Sequence, residues 1–177
     1  MKELSLNILD IAMNSVKAGA TLIEIEIEER YGWRTLMIRD NGCGMSPEFV
    51  SAVTDPFTTT RTTRKVGMGL PLLKLAAEQT GGTLSITSSQ GEDHGTTVRA
   101  TFLIDHLDCV PVGDYASTMV TLIQGSPNID FVFQYRSKSG EINLSTAEMR
   151  QILGDVPLDN PDVLAWVAES LSSPEES

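Results

Sequence analysis

Four groups of residues along this 177-residue chain have types and spacings that could do chemistry. Asp10, Asn14 and Lys17, with Asn7 ahead of them, recur at steps of three and four, which sets a carboxylate, amides and an ammonium along one stripe of a helix. Asp40-Asn41-Gly42-Cys43-Gly44-Met45 puts a carboxylate beside two glycines. Residues 55 to 69 carry three bases, Arg61, Arg64 and Lys65, no acid after Asp55, and close on Gly67-Met68-Gly69; Gly95-Thr96-Thr97 completes the series. In this order the groups describe a pocket for a nucleoside triphosphate. A carboxylate can accept from the adenine amino group, and glycines let backbone approach the ligand. Backbone N–H groups at a helix start suit phosphates, an oxygen ligand suits Mg²⁺, and cations suit the γ-phosphate. Each group alone is weak evidence, since an isolated Gly-x-Gly usually marks a turn.

The elements that must position these residues are legible in outline. Residues 4 to 18 have helical spacing, with Leu6, Leu9, Met13 and Val16 as the expected buried stripe, and Gly19 suits its end. Ile23, Ile25 and Ile27 alternate with Glu24, Glu26 and Glu28 as a strand with one wet face, Gly32 turns the chain, and the strand 35–39 runs into Asp40. Ser46-Pro47 opens a short helix to about Val53. The run 70–80 reads as a helix with Pro71 in its first turn and Gly81-Gly82 at its end. Strands follow at 83–88 and 96–104, joined by a polar turn at 90–95. After a linker-like stretch from Asp105 to Asp114, strands are expected at about 118–123 and 129–136, the latter with Ile129, Phe131, Phe133 and Tyr135 on one face. Ser145-Thr146-Ala147-Glu148 is a capping box for a helix that Gly154 closes, and Asn160-Pro161 opens a last helix with Val163, Leu164, Val167 and Leu171 as its apolar side. The expected class is α+β: a two-layer sandwich with helices on one face of a mixed, mostly antiparallel sheet, and a small ββαα appendage at the C-terminus. Two units are expected, 1–104 and 105–177.

Composition narrows the function classes. A chain with 41% hydrophobic and 21% charged residues is an ordinary soluble globule. No apolar run approaches the roughly 20 residues of a membrane span, and the N-terminus lacks a basic-then-apolar leader, so the expected setting is cytoplasmic, with no membrane partner. Cys43 and Cys109 lack metal-ligand spacing and are expected to be reduced thiols. The net charge of −11 argues against nucleic acid as a partner. It is unevenly spread: residues 1–104 hold twelve acidic and ten basic residues, residues 105–177 twelve acidic and three basic. The acidic segment is where a protein partner would be sought, and its aromatic face either continues the core or forms a partner or homodimer surface.

The run Asn14-Ser-Val-Lys-Ala-Gly-Ala-Thr21, followed by a strand and Asp40-Asn-Gly-Cys-Gly-Met45, resembles the first half of the GHKL ATPases and is especially similar to mismatch-repair ATPases of the MutL type. Asp55-Pro-Phe-Thr-Thr-Thr60, Gly67-Met-Gly-Leu70, Gly81-Gly82-Thr83 and Gly95-Thr-Thr97 resemble the ATP-binding domain of sensor histidine kinases. The resemblance spans residues 4 to about 104 and implies the Bergerat fold with ATP and Mg²⁺ as ligands. It implies that Asn14 coordinates Mg²⁺, that Asp40 binds the adenine amino group, and that Gly42 and Gly44 admit the base edge. Gly67, Gly69 and Leu70 would meet the phosphates, Thr97 would support the adenine aspartate, and Phe57 would open a mobile lid carrying Arg61, Arg64 and Lys65. Asp10 stands where hydrolytic members carry a glutamate base, but is one methylene shorter; a catalytic base, a water-mediated Mg²⁺ contact and a structural role stay open. Lys17 departs from the acidic residue of the MutL type and matches the histidine-kinase lysine, which would stabilise the γ-phosphate; a merely solvated lysine stays open.

His94, in a turn, and His106, at a segment boundary, are expected to be surface residues, so the protein should not be its own phosphoacceptor. The 73 residues after Ile104 are too short and too acidic to resemble the second domain through which MutL and gyrase ATPases supply a phosphate-binding lysine. The resemblance therefore implies a stand-alone kinase or ATPase acting on a partner protein, or else a non-catalytic ATP-dependent conformational switch or a regulatory nucleotide-binding module.

Overall fold

The period of two in Ile23-Glu-Ile-Glu-Ile27 requires one face of a strand to be buried and the other wet, and the three isoleucines are indeed at most 1% exposed. The computed structural model describes residues 3–53 and 69–172. Among these the order is α1 (Leu4–Lys17), β1 (Leu22–Arg30), β2 (Trp33–Asp40), α2 (Pro47–Val53), α3 (Gly69–Gln79), β3 (Leu84–Ser89) and β4 (Gly95–Leu103). There follow α4 (Tyr115–Gly125), β5 (Asp130–Ser137), β6 (Gly140–Ser145), α5 (Thr146–Leu153) and α6 (Pro161–Ser172). The expected two-layer α+β sandwich is what forms. Its strands make one six-stranded sheet in the order β3-β4-β2-β1-β5-β6, antiparallel except for the parallel pair β1 and β5.

One buried face runs across the strands through Val98, Ala100 and Phe102 of β4, Leu36 and Ile38 of β2, the β1 isoleucines, Phe131 and Phe133 of β5, and Ile142 and Leu144 of β6. Helices cover it with Ile8 and Ile11 of α1, Leu73 and Ala77 of α3, Met119 and Ile123 of α4, and Val167 and Leu171 of α6, all in one cluster. The opposite face is charged: Arg136 pairs with Glu26 and, at 3.5 Å, with Glu28.

Two expectations are corrected. The stretch 118–123 is helical, not a strand, so the C-terminal segment reads αββαα. Its β-branched run mimics a strand, but Met119, Leu122 and Ile123 bury at helical spacing, and Asp114 caps the start by accepting from the Ser117 N–H at 3.0 Å. On α1 the buried stripe is Leu4, Ile8, Ile11, Ala12 and Ser15; of the expected residues Leu9 and Val16 pack partly buried against the core, whereas Leu6 and Met13 are 50% and 43% exposed. This helix carries two apolar stripes of the same period, and only docking on the sheet selects between them.

The boundary expected between residues 104 and 105 lies inside this continuous sheet. Phe131 and Phe133 are fully buried against the same cluster as α1, and Tyr115 stacks on Phe133 with ring centroids 5.2 Å apart. The segment also completes α1. A helix start leaves its first N–H groups without acceptors; here Leu4 and Ser5 donate to the Pro111 and Val112 carbonyls at 2.9 and 2.8 Å. A chain ending at residue 104 is therefore expected to show no cooperative thermal transition by circular dichroism, because β1 becomes an edge and α1 loses its support. Separately, Asp114→Ala is expected to lower stability by about 1 kcal/mol at neutral pH. The Ser117 backbone and hydroxyl hold the Asp114 carboxyl below its ordinary range. Its contribution is therefore present above that range and disappears as pH falls through the lowered value, and denaturant melts of wild type and variant should converge in acid.

Candidate nucleotide site

The wet end of the site is built where β2 runs out. Asp40 is the last residue of β2, and its side chain shares the face of Ile38, looking towards α1. Ser15, one residue past Asn14 and 4% exposed, donates its hydroxyl to Asp40 Oδ2 at 2.5 Å, and the Gly42 N–H donates to Oδ1 at 2.9 Å. Both carboxylate oxygens are thus fixed as acceptors aimed at a cavity of about 670 Å³, a volume suited to a nucleotide-sized ligand. Asn14 and Lys17 of α1, Asp40, Cys43, Gly44, Met45 and Phe49, Leu70 of α3, Gln90, and Thr96 and Val98 of β4 are among the residues that line it.

Local backbone constraints make the glycine loop what it is. Gly44 has φ +77°, and a Cβ there would fall 1.9 Å from the Ser89 carbonyl oxygen, so no other residue fits without moving β3. At Gly42 a Cβ would meet the Ala18 Cβ at 2.9 Å, and the Cys43 N–H donates to the Ala18 carbonyl at 2.9 Å, docking the loop on the end of α1. The glycines are thus dictated first by the protein's own close packing. Asn41 faces the other way: its amide oxygen accepts from the Thr21 and Leu22 N–H groups at 2.8 and 3.0 Å, tying the start of β1 to the loop.

The structure brings together Asn14, Lys17, Asp40, Gly44 and Leu70 around one cavity. Asp10 is exposed and lies beside Gly69, where an added Cβ would fall 3.1 Å from the Asp10 Cβ. Thr97 is displaced from the role its neighbourhood suggested. It pairs in register with Arg39, whereas Thr96 pairs with Asp40, and alternation along β4 turns Thr96 and Val98 to the cavity and Thr97 to the opposite face. Phe57, Arg61, Arg64, Lys65 and Gly67, with the expected lid, lie outside the described residues.

Three residues that the sequence did not single out for the site also shape it. Ser15 is one. Ser88 accepts from the Met45 N–H at 2.7 Å and lies 2.8 Å from the Thr96 hydroxyl, joining the glycine loop to β4. His94, in the β3–β4 turn, places Nδ1 2.6 Å from the Gly42 carbonyl. A carbonyl only accepts, so Nδ1 carries the proton. The signal in the sequence was thin: a hydroxyl after Asn14 and a histidine before Gly95, each unremarkable until the chain closes.

A sandwich of helices on one sheet face, open at the end where a fixed carboxylate, a glycine loop and a helix start converge, is the architecture of a nucleotide-binding ATPase domain. Residues 1–106 match the family model described as histidine kinase-, DNA gyrase B-, and HSP90-like ATPase, and the chain belongs to that ATP-binding family. A putative sensor protein of Shewanella frigidimarina is 28% identical over 109 residues, 61% of this chain and 16% of that protein. The sensor protein SrrB of Staphylococcus aureus is 32% identical over 102 residues, 55% of this chain and 17% of that protein. The chain thus spans less than a fifth of the length of these relatives. In fold it is similar to the N-terminal domain of a DNA repair protein, with TM-score 0.57 and 21% identity over 82% of this chain and 53% of that one. It is also similar to the Aquifex aeolicus MutL ATPase domain complexed with ADP, with TM-score 0.54 and 14% identity over 96% of this chain and 88% of that one. No helix among the described residues is long and apolar enough to cross a membrane.

Gly44→Ala is expected to weaken ATP binding, because the added methyl cannot coexist with the Ser89 carbonyl. Calorimetric titration with ATP would check it, and wild-type affinity would show that the loop tolerates what the distances forbid.

Proposed function

We propose that the chain binds Mg-ATP in this cavity and acts as a kinase or ATPase on a partner protein. The observation that carries the reading is the Asp40 carboxylate, held as a double acceptor by Ser15 and Gly42 at one end of a cavity whose wall also carries Asn14 and Lys17. An acceptor-only group selects a base edge that presents N–H donors, as the amino group of adenine does. The donor set also fits magnesium. Mg²⁺ is a hard ion that takes oxygen ligands and in nucleotide sites fills much of its shell with phosphate and water, so the amide oxygen of Asn14 is a compatible protein contribution. When bound, the ion would neutralise charge on the phosphates; Asn14 would hold it.

The roles of the chain's own residues follow. Asp40 orients the base, Gly42 and Gly44 keep the loop close to it, and Lys17 places an ammonium where charge on the terminal phosphate can be stabilised. The N–H groups at the start of α3, from Gly69 and Leu70, suit phosphate oxygens, and the bases Arg61, Arg64 and Lys65, with Phe57 and Gly67, are assigned to the same end of the ligand. Asp10, beside Gly69, is the candidate general base for an attacking water or hydroxyl. The phosphoacceptor belongs to a partner protein, sought at the acidic segment 105–177, where a second copy of the chain would also dock. The setting assigned to this activity is the cytoplasm, where ATP is available.

A second reading, an ATP-dependent switch without chemistry, draws support from the hydrogen bonds that join α1 to Pro111 and Val112, since they place the nucleotide-facing helix and the acidic segment in direct contact. Purified protein with Mg²⁺ and labelled ATP separates the two. Phosphate release that disappears in Asp10→Asn supports hydrolysis, transfer to an added protein supports a kinase, and tight binding with neither leaves the switch. Asp40→Asn is expected to lower ATP affinity by about 10- to 100-fold, as loss of a hydrogen bond to a charged acceptor should, and Asn14→Asp to reduce the Mg²⁺-dependent part of binding. Wild-type ATP affinity in Asp40→Asn would overturn the site.

A further inference from the structure

We propose that Asn7 is a positioning residue for the polyphosphate: its buried amide fixes the start of α3 against α1, so that the first N–H groups of α3 face the phosphates. The inference rests on the ATP reading of the cavity and goes beyond it in assigning a residue that touches no ligand. Asn7 is 4% exposed, and its Nδ2 donates to the Gly69 carbonyl at 2.8 Å across 62 residues of sequence. The carbonyl does not need this bond. In an α-helix each carbonyl accepts from the N–H four residues on, so Gly69 at the head of α3 has an acceptor role within its own helix. Nor does burial call for an amide here. A buried amide carries a desolvation cost that an apolar side chain of the same size would avoid.

What the amide supplies is direction. Asn7 lies two helical turns before Asn14, so one stripe of α1 carries both the tie to α3 and the residue assigned to the metal ion. Gly69 sits in contact with the middle of that helix: a Cβ on it would lie 3.1 Å from the Asp10 Cβ and 3.5 Å from Ile11 Cγ1. The next residue, Leu70, lines the cavity with Asn14 and Lys17. Asn7 thus couples the position of the α3 N-terminus, which favours anions through its first N–H groups and helix dipole, to the helix bearing the other phosphate-facing groups. The base end is held independently by Ser15 and Gly42. Losing the Asn7 amide should therefore weaken the phosphate end alone.

The test titrates wild type, Asn7→Leu, Asn7→Ser, Asn7→Gln and Asp40→Asn with ATP, ADP and adenosine in Mg²⁺, by NMR, which also reads weak affinities. In Asn7→Leu and Asn7→Ser, ATP is expected to bind roughly three- to tenfold more weakly, the equivalent of one net hydrogen bond. Adenosine affinity should be unchanged, ADP should fall between, and Asn7→Gln, which keeps the amide, should recover part of the loss. Asn7→Ser supplies the readout if Asn7→Leu does not fold. Equal weakening of adenosine and ATP, no weakening, or failure of both variants to fold overturns the proposal by making Asn7 structural or idle. Asp40→Asn keeps the two readings apart. If it loses ATP while the Asn7 variants bind all three ligands normally, only the positioning role falls; if it binds ATP normally, the site itself falls.

Discussion

A carboxylate at the mouth of an apolar cavity is costly unless its oxygens are satisfied, and here the satisfaction of Asp40 organises the site. Hydrogen bonds to a charged group contribute about 1.5–3 kcal/mol each, and the two that Asp40 accepts come from different elements, Ser15 on α1 and the Gly42 backbone after β2. The Gly42 bond is local to the loop, but the Ser15 bond forms only if α1 lies across the end of β2 at one height and one rotation. That rotation is set from below by Ile8 and Ile11 packing into the sheet. It also turns Asn14 and Lys17 to the cavity, so burial of the apolar face and orientation of the polar one are a single event.

The glycine loop answers to the same constraint. It is pinned to α1 through Ala18, to β3 through the absent Cβ of Gly44, to Ser88 through the Met45 N–H, and to the β3–β4 turn through His94. A loop held at four points needs little reorganisation to meet a ligand, which is how a site recovers affinity that ordering would otherwise cost.

The acidic C-terminal segment enters from the other side. Its strands extend the sheet beyond β1, away from β4 and the glycine loop, and its carbonyls accept from the start of α1. Placement reconciles its charge with a polyanionic ligand: among the described residues none of the segment's acids lines the cavity, and they are spread over β5, β6, α5, α6 and the turns around them.

Much was legible in the sequence because it depended on local rules. The Ile/Glu alternation determined β1, the glycine pairs ended helices and opened loops, the capping box started α5, and the order of Asn14, Asp40, Gly69 and Gly95 pointed to one pocket. What was misread had two local solutions of equal quality: α1 has two apolar stripes of one period, and 118–123 is β-branched yet buries at helical spacing. Thr96 and Thr97 differ only in strand register, which a neighbouring strand must supply. Ser15, Ser88, His94 and Asn7 act across 25, 43, 52 and 62 residues of sequence. By itself the sequence determined which residues could form a nucleotide site and most of the elements that carry them, because propensity and period act within a few residues. Which face of α1 meets the sheet, which threonine meets the cavity and which polar side chains hold the site in place were decided only by tertiary structure, because a buried polar group is oriented by partners that only the closed chain brings within hydrogen-bond reach.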